Sequence, residues 1–374
     1  MYKVLHINCN YLGTTLHQTM IEFLEKKDIS NIVFVPTYDK NVAVIKPNDN
    51  VDVSECFKKY DRISFYYKQN KILKSLLEKY IDINEFNIIH AYTLFSDGNI
   101  AMSLNKTTGI PYIVAVRNTD VNAFFKYRPY LRKKGLEIME RASAIIFLSD
   151  AYKKQVYQKY IPNEKRESLL KKTIIIPNGI DPFWLINKQS NFIEFDNSKV
   201  IKLIYAGKID SNKNIITTQK AIDILYDKGY KVQYTVVGKV IEKKLYHQIV
   251  KHKYTTVLEP VNKELLMKLY RSHHIFVMPS FTESFGLVYA EAMSQGLPVI
   301  YTNGQGFDGQ FKEGEVGYSV NPTNPQEIAE KIIKITKNYN DFSTRSSENS
   351  SKFDWNKIVL KYGELYDISK NIEK

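Results

Sequence analysis

Two carboxylates, Glu283 and Glu291, stand eight positions apart in PSFTESFGLVYAEAMSQGLPV (279–299), with Phe285 and Gly286 between them. The preceding run HIFVMPS (274–280) predicts a strand. GLVYAEAMSQG (286–296) predicts a helix closed by Gly296, with Pro298 beyond it. Glu283 then falls in the connecting loop beside Ser284, and Glu291 about two turns into the helix. At ~1.5 Å rise per residue the carboxylates are roughly 12 Å apart, wider than the ~5–9.5 Å of a glycosidase acid pair. They do not flank one bond. They suit two grips on one long ligand, with Gly286 and the helix N-terminus facing an anion in the middle. A nucleotide-sugar has that layout of hexose, diphosphate and ribose. The bland alternative is that Glu283 merely favours the helix dipole and Glu291 is merely exposed.

IYAGKIDSNKNIITTQKAI (204–222) places Lys208 just after a strand and Lys213 just before a helix. A spacing of five brings two ammonium groups to one βα loop at the C-terminal edge of a sheet, where doubly wound folds bind ligands. Two cations there stabilise charge developing on a leaving diphosphate. No D-x-D occurs in the chain, so a metal clamp on the diphosphate is not expected, and no cofactor is implied. GQGFDG (304–309) matches G-x-G-x-x-G after a strand, but the residues that follow do not read as a helix. It is expected to be a loop over the donor site and not a dinucleotide fingerprint.

These residues need a scaffold. Short β-branched runs alternate with helical patterns: strands are expected at 3–7, 31–35, 87–92, 111–116, 144–149 and 173–177, then at 200–207, 232–238, 255–259, 274–280, 297–302 and 316–320. Most are near-continuous apolar runs, as for strands covered on both faces. The βαβα alternation in each half predicts an α/β chain of two Rossmann-like doubly wound parallel sheets. At 374 residues two domains are expected. Pro177, Asn178, Gly179 and Pro182 punctuate the boundary, giving 1–180 and 181–352. An aromatic amphipathic helix follows at 353–374.

The chain has only Cys9 and Cys56 and carries a net charge of +13. No disulfide framework is implied and a reducing compartment fits. The N-terminus has no signal-peptide core, and no apolar run approaches the ~20 residues of a span. The basic balance favours anionic partners. Basic and aromatic residues mix at 57–74 and again at 124–135, where Lys126, Arg128, Arg132, Lys133 and Lys134 lie among Phe124, Phe125 and Tyr130. One reading is an anionic membrane surface; the other is a solvated helix face with its aromatics turned inward. Nucleic acid is suggested by charge alone and is not expected.

The block around Glu283 resembles the E-x7-E motif of retaining glycosyltransferases with the GT-B fold, the family of sucrose synthases and many bacterial envelope mannosyl- and glucosyltransferases. Pro279, Ser280, Glu283, Phe285, Gly286, Glu291, Ala292, Gly296, Pro298 and Val299 fall in register. The resemblance implies a cleft between the two domains, Glu283 on sugar hydroxyls and Glu291 on the ribose. Ser284, Phe285, Gly286 and Val261 join the donor side. Lys208 and Lys213 match the family's phosphate-clamping pair, with Lys208 where an Arg is usual, so that a point charge replaces a bidentate fork. FNIIHAYTLFSDG and GIPYIVAVRNTD are similar to the family's N-domain. His90 would lie in the cleft, or be a satisfied histidine at a strand end. Arg117 stands where a His commonly touches the transferred sugar, and Asn118 where a Gly follows it. Gly13 is alone where relatives carry a glycine pair beside the phosphates. His17 is a candidate for meeting the acceptor, or a surface histidine. Arg117 offers a permanent cationic fork for a uronate or diphosphate, the alternative being a structural pair with Asp120. The C-terminal helix is expected to cross back to the first domain.

The resemblance implies a metal-independent retaining transferase. It moves sugar from a nucleotide-sugar donor to a glycan or lipid-linked acceptor in cell-surface polysaccharide or glycolipid synthesis. The expected site is the cytoplasm, or the inner face of the cell membrane. A GT-B epimerase or phosphorylase, and a silent glycan-binding partner of an active relative, are the alternatives.

Overall fold

The computed structural model describes residues 2–40, 49–80, 82–189 and 200–371. The chain forms two compact units. The first takes the residues through Leu148, Tyr152–Gly179 and the chain from Trp355 onward; the second takes Ser149–Ala151 and Ile180–Asp354.

The first unit is built on β1 (Tyr2–Ile7), β2 (Ile29–Thr37), β3 (Val51–Glu55), β4 (Ile88–Ala91), β5 (Tyr112–Val116), β6 (Ala144–Phe147) and β7 (Thr173–Ile175). They pair in parallel as β3-β2-β1-β4-β5-β6-β7. Both faces are covered, which is why the strands read as continuous apolar runs. Along β5, Tyr112, Val114 and Val116 enter one core cluster, and Ile113 and Ala115 enter the other. The second cluster also takes Trp355, Val359, Tyr362 and Tyr366 of the C-terminal helix Trp355–Asn371. β3 has no counterpart among the expected strands. VDVSE is a short edge strand with polar residues on alternate positions, and so lacks the apolar run that marked the others.

The second unit contains β8 (Ile201–Ala206), β9 (Val232–Val237), β10 (Thr255–Leu258), β11 (Ile275–Val277), β12 (Val299–Thr302) and β13 (Gly317–Val320), in the parallel order β10-β9-β8-β11-β12-β13. These six are the strands expected in that half. β11 is only three residues long, and Met278–Ser280, expected as strand, already belongs to the loop. The strand order reverses between β1 and β4 in one sheet and between β8 and β11 in the other. Chains leave a reversal point in opposite directions, which opens a crevice at the strands' C-terminal ends. Among the described residues no helix is long and apolar enough to cross a membrane.

Candidate functional site

The reversal point of the second sheet brings two loops together. One runs from Gly207, after β8, to the helix Ile215–Asp227; the other runs from Met278, after β11, to the helix Leu287–Ser294. Asn214 ends the first in the left-handed region (φ 57°), which Asn tolerates better than most residues. Its amide donates to the carbonyls of Pro279 (2.9 Å) and Pro322 (2.6 Å). Asn212 forms a second clasp: its Nδ2 donates to Thr282 O (2.9 Å), and its Oδ1 and backbone O accept from Thr282 N (3.0 Å) and Phe281 N (2.8 Å). Gly286 turns the second loop into its helix at φ 75°, where a Cβ would lie 2.4 Å from the Tyr289 ring.

Between these clasps the Lys213 ammonium meets the Glu283 carboxylate at 2.7 Å, with the two side chains 19% and 9% exposed. The other Glu283 oxygen accepts the Ser284 N–H at 3.0 Å. Lys208 is exposed, and no carboxylate among the described residues pairs with it. The residues brought to one edge are therefore an ion pair, a free cation and the start of a helix. The N–H groups of Phe285, Gly286, Leu287 and Val288 take no acceptor among the described residues, as at any helix N-terminus awaiting an anion.

A third loop, after β12, supports Glu283 from behind. Gln305 Oε1 accepts the Glu283 N–H at 3.0 Å, and the Gly306 N–H donates to the Glu283 carbonyl at 3.1 Å. The approach is close enough that a Cβ on Gly306 would lie 1.9 Å from Ser284 O. GQGFDG thus stays in turns and packs against the Glu283 loop. Asn212, Asn214 and Gln305 were not singled out from sequence. The available signals were the asparagines flanking Lys213 and the glycine spacing around Gln305.

One donor-side expectation changes, and one bland alternative falls. Phe285 is 2% exposed and packs edge-on against Phe307 and Phe353 at 6.3 and 5.7 Å. Its side chain anchors the loop within the core and cannot line a ligand site; only its backbone faces that edge. Ser284 is exposed. Glu291 is not merely exposed: it is half-buried. Burial pushes its carboxyl up to about 7, with Asp181 adding to the shift and Lys263 opposing it. Lys263 and Asp181 form an ion pair. Val261 lies half-buried just before Asn262, whose side chain caps the helix Lys263–Arg271.

In the first unit both candidate histidines are buried, which favours the strand-end alternative for His90 and excludes the surface alternative for His17. His90 is fully buried in β4 on the face covered by the C-terminal helix, with Nδ1 at 2.9 Å from the Tyr366 hydroxyl and its ring stacked on Tyr92 at 4.3 Å. It stands beside His6 in register. Its Nε2 has no hydrogen-bond partner among the described residues, and burial drives the imidazole neutral. His17 faces inward from the helix Thr15–Glu25, edge-on to Tyr92 at 4.7 Å, and is 9% exposed. Burial lowers its pKa to about 3, with help from the Arg117 charge. It is not a surface histidine, and its buried Nδ1 has no hydrogen-bond partner among the described residues.

Arg117 follows β5 half-buried. Its Nε donates to Tyr92 O at 3.3 Å and its Nη1 to Asn178 Oδ1 at 3.0 Å. Asp120 takes the Arg117 backbone N–H at 2.8 Å instead of the guanidinium, together with those of Leu94 and Phe95 at 3.0 and 3.1 Å. The structural pair with Asp120 is therefore made through the main chain. Asn118 accepts from Asn122 at 3.0 Å. Gly13 ends a short turn after β1 with open space beside it.

Residues 15–183 match the family model described as Glycosyltransferase Family 4, and residues 187–353 the model described as Glycosyl transferases group 1. The chain is a GT-B glycosyltransferase of group 1. A relative, the capsular polysaccharide biosynthesis glycosyltransferase CapM of Staphylococcus aureus, is 25% identical over 92% of this chain and 90% of its own. The fold matches sucrose-phosphate synthase from Thermosynechococcus elongatus with a TM-score of 0.75 at 18% identity, covering 98% of each chain. It matches HepE of Anabaena in complex with UDP with a TM-score of 0.71 at 17% identity, covering 97% of this chain and 99% of that one.

In this glycosyltransferase the phenylalanines of the basic stretch 124–135 follow the inward reading. Phe125 is 1% exposed and stacks on Tyr160 at 4.8 Å; Phe124 stacks on Phe95 at 4.9 Å. The helical turn Asp120–Phe125 carries the Phe125 ring into the core and packs the half-buried Phe124 ring against it, so Phe125 is not available for insertion into a membrane. Arg132 Nε donates to Phe125 O at 2.8 Å, and Lys134 pairs with Glu137 at 2.6 Å. Tyr127 and Tyr130 are 69% and 63% exposed.

Proposed function

We propose that the enzyme is a metal-independent retaining glycosyltransferase that moves a hexose from a nucleotide-sugar to an acceptor hydroxyl in cell-surface polysaccharide or glycolipid synthesis. The observation that carries this reading is the Lys213–Glu283 pair at the reversal point of the second sheet, beside the N-terminus of the helix Leu287–Ser294. HepE has been seen with UDP, and CapM is a capsule-synthesis enzyme by name; both agree with the donor class and the pathway.

On this reading Lys208, Lys213 and the free N–H groups at 285–288 take the diphosphate, and Glu283 accepts hydrogen bonds from sugar hydroxyls. Glu291 holds the ribose, and Val261 lies toward the base. Lys213 holds the Glu283 carboxylate in place before the donor arrives, and it supplies positive charge as the diphosphate leaves. The acceptor hydroxyl attacks the anomeric carbon on the face the diphosphate leaves. The C–O bond to the diphosphate breaks as the new one forms, and a departing phosphate oxygen takes the hydroxyl proton. No enzymic nucleophile is required. Arg117 holds the end of β5, and Gly13 and Asn118 lie at the C-terminal edge of the first sheet. Lys126, Lys133, Tyr127 and Tyr130 form the exposed part of a basic aromatic surface for the cytoplasmic face of a membrane. Each basic residue there contributes about 1 kcal/mol.

Turnover of a panel of nucleotide-sugars tests the proposal, read as nucleoside diphosphate release with and without EDTA. Turnover of one donor that persists in EDTA is expected. Absence of turnover across the panel, or a strict need for a divalent metal, contradicts it. Sedimentation with anionic vesicles at rising salt tests the surface, and equal binding to neutral vesicles excludes it.

A further inference from the structure

The reversal point of the first sheet holds a cavity of ≈ 470 Å³, within the size range of small-ligand sites. Its floor is the C-terminal edge of the sheet, with Cys9 after β1, Thr37 in β2 and Thr93 after β4. Three cations, Arg62, Lys68 and Arg128, line it. Each lies over an aromatic ring of the same wall: Arg62 over Tyr38 at 5.8 Å, Lys68 over Phe57 at 5.2 Å and Arg128 over Phe124 at 4.9 Å.

None of the three pairs with a carboxylate among the described residues. Their neighbours behave otherwise. Lys71 pairs with Asp61, Lys79 with Asp52, and Lys106 and Lys134 with Glu137. Of the two carboxylates near the floor, Asp120 lines the cavity, but neither forms an ion pair with the trio among the described residues, and both are committed to other donors. Asp120 accepts the N–H groups of Leu94, Phe95 and Arg117, and Asp97 accepts from Thr93 Oγ1 at 2.9 Å and Cys9 N at 3.2 Å. Ring faces hold the cations in place without cancelling their charge. A concave site with low-dielectric walls concentrates that charge. Two guanidinium forks and an ammonium match a group with several acceptor oxygens and at least two negative charges.

We infer that this cavity binds a phosphoryl group carried by the acceptor, either a phosphate monoester or a diphosphate. The inference rests on the reading of the enzyme as a glycosyltransferase, and it gives the acceptor a chemical class. Residues beside Arg62 and Arg128 are exposed and apolar or aromatic, Ile63 at 88% and Tyr127 at 69%. Such a rim suits a phosphoryl group at the head of a lipid as well as one on a soluble polyol.

The test uses the full chain in a Lys208→Gln, Lys213→Gln background, so that the second unit's cations do not contribute. Inorganic pyrophosphate binding is measured by titration calorimetry. Arg62→Gln, Lys68→Gln and Arg128→Gln should each weaken it on the order of tenfold, as for a lost charged hydrogen bond. Lys74→Gln serves as the charge-matched control: Lys74 is exposed on the same helix as Lys68 and near Glu78, and the change should have no effect. Unchanged affinity in the three folded variants, or an equal loss in the Lys74 control, overturns the inference. Competition by inositol phosphate or by a short-chain prenyl diphosphate identifies the soluble or lipid source; displacement by neither overturns the acceptor assignment. Donor turnover by the wild type is scored separately. Turnover without pyrophosphate binding removes this inference alone; binding without turnover removes the glycosyltransfer mechanism and the acceptor assignment with it, leaving only an anion site.

Discussion

Replacing Glu291 with Gln is expected to stabilise the protein while damaging donor binding. Burial raises the Glu291 carboxyl from its ordinary 4.5 to about 7. The folded chain therefore binds a proton more tightly there than the unfolded chain does. Between pH 4.5 and 7 the native state holds the extra proton, so stability falls as pH rises through that window, and the penalty is complete above about pH 7. At ~1.4 kcal/mol per unit the ceiling is about 3 kcal/mol. The side chain is only half-buried and keeps some water, so about 1–2 kcal/mol is the working figure. That corresponds to roughly 2–8 °C in melting temperature for a unit of this size. Gln does not titrate. Melting curves of both proteins at pH 5, 6, 7 and 8 should converge at the acid end, and the variant should melt higher at pH 8. If Glu291 holds a ribose, the same variant should show a raised KM for the donor with a smaller change in kcat, because ribose contacts persist from ground to transition state. A melting difference that does not vary with pH refutes the burial argument, and an unchanged KM refutes the ribose assignment.

Other substitutions probe the same edge. Lys208→Ala and Lys213→Ala should each lower kcat on the order of 10²-fold or more, but only Lys213→Ala should also lower the melting temperature, because it strands the nearly buried Glu283 carboxylate; equal melting curves would show that the ion pair contributes nothing to the fold. Gly306→Ala forces a Cβ toward Ser284 O and should reduce kcat by displacing Glu283, whereas full activity would show that the loop after β12 does not hold it. Arg117→Lys cannot keep both the Tyr92 and Asn178 bonds and should reduce activity uniformly on neutral and anionic substrates with a lower melting temperature. Selective loss on an anionic substrate at unchanged melting temperature would instead place the guanidinium on the ligand.

The second sheet was legible because each strand is a compact apolar run ended by Gly or Pro. The same property hid the sidedness of the histidines. In a strand covered on both faces there is no alternation to show which way His90 points, and only the C-terminal helix, some 276 positions away, closes over it. The contact between Lys213 and Glu283 spans 70 positions and depends on β8 lying next to β11, an order that no local pattern encodes. Helix and loop could be assigned around Phe285 from its neighbours, but its burial depends on Phe307 and Phe353 arriving from elsewhere. The polar edge strand β3 was missed for the opposite reason, having too little apolar content to be seen.

The central claim is that this enzyme transfers a sugar with retention, using the Lys213–Glu283 edge and no metal. The most direct measurement is the anomeric configuration of the first product formed from a turned-over nucleotide-sugar in EDTA, read by proton NMR before mutarotation and compared with Glu283→Gln. The account expects an α-linked donor to give α product first, with the rate strongly reduced in the variant. A β product, or full activity in Glu283→Gln, would contradict it.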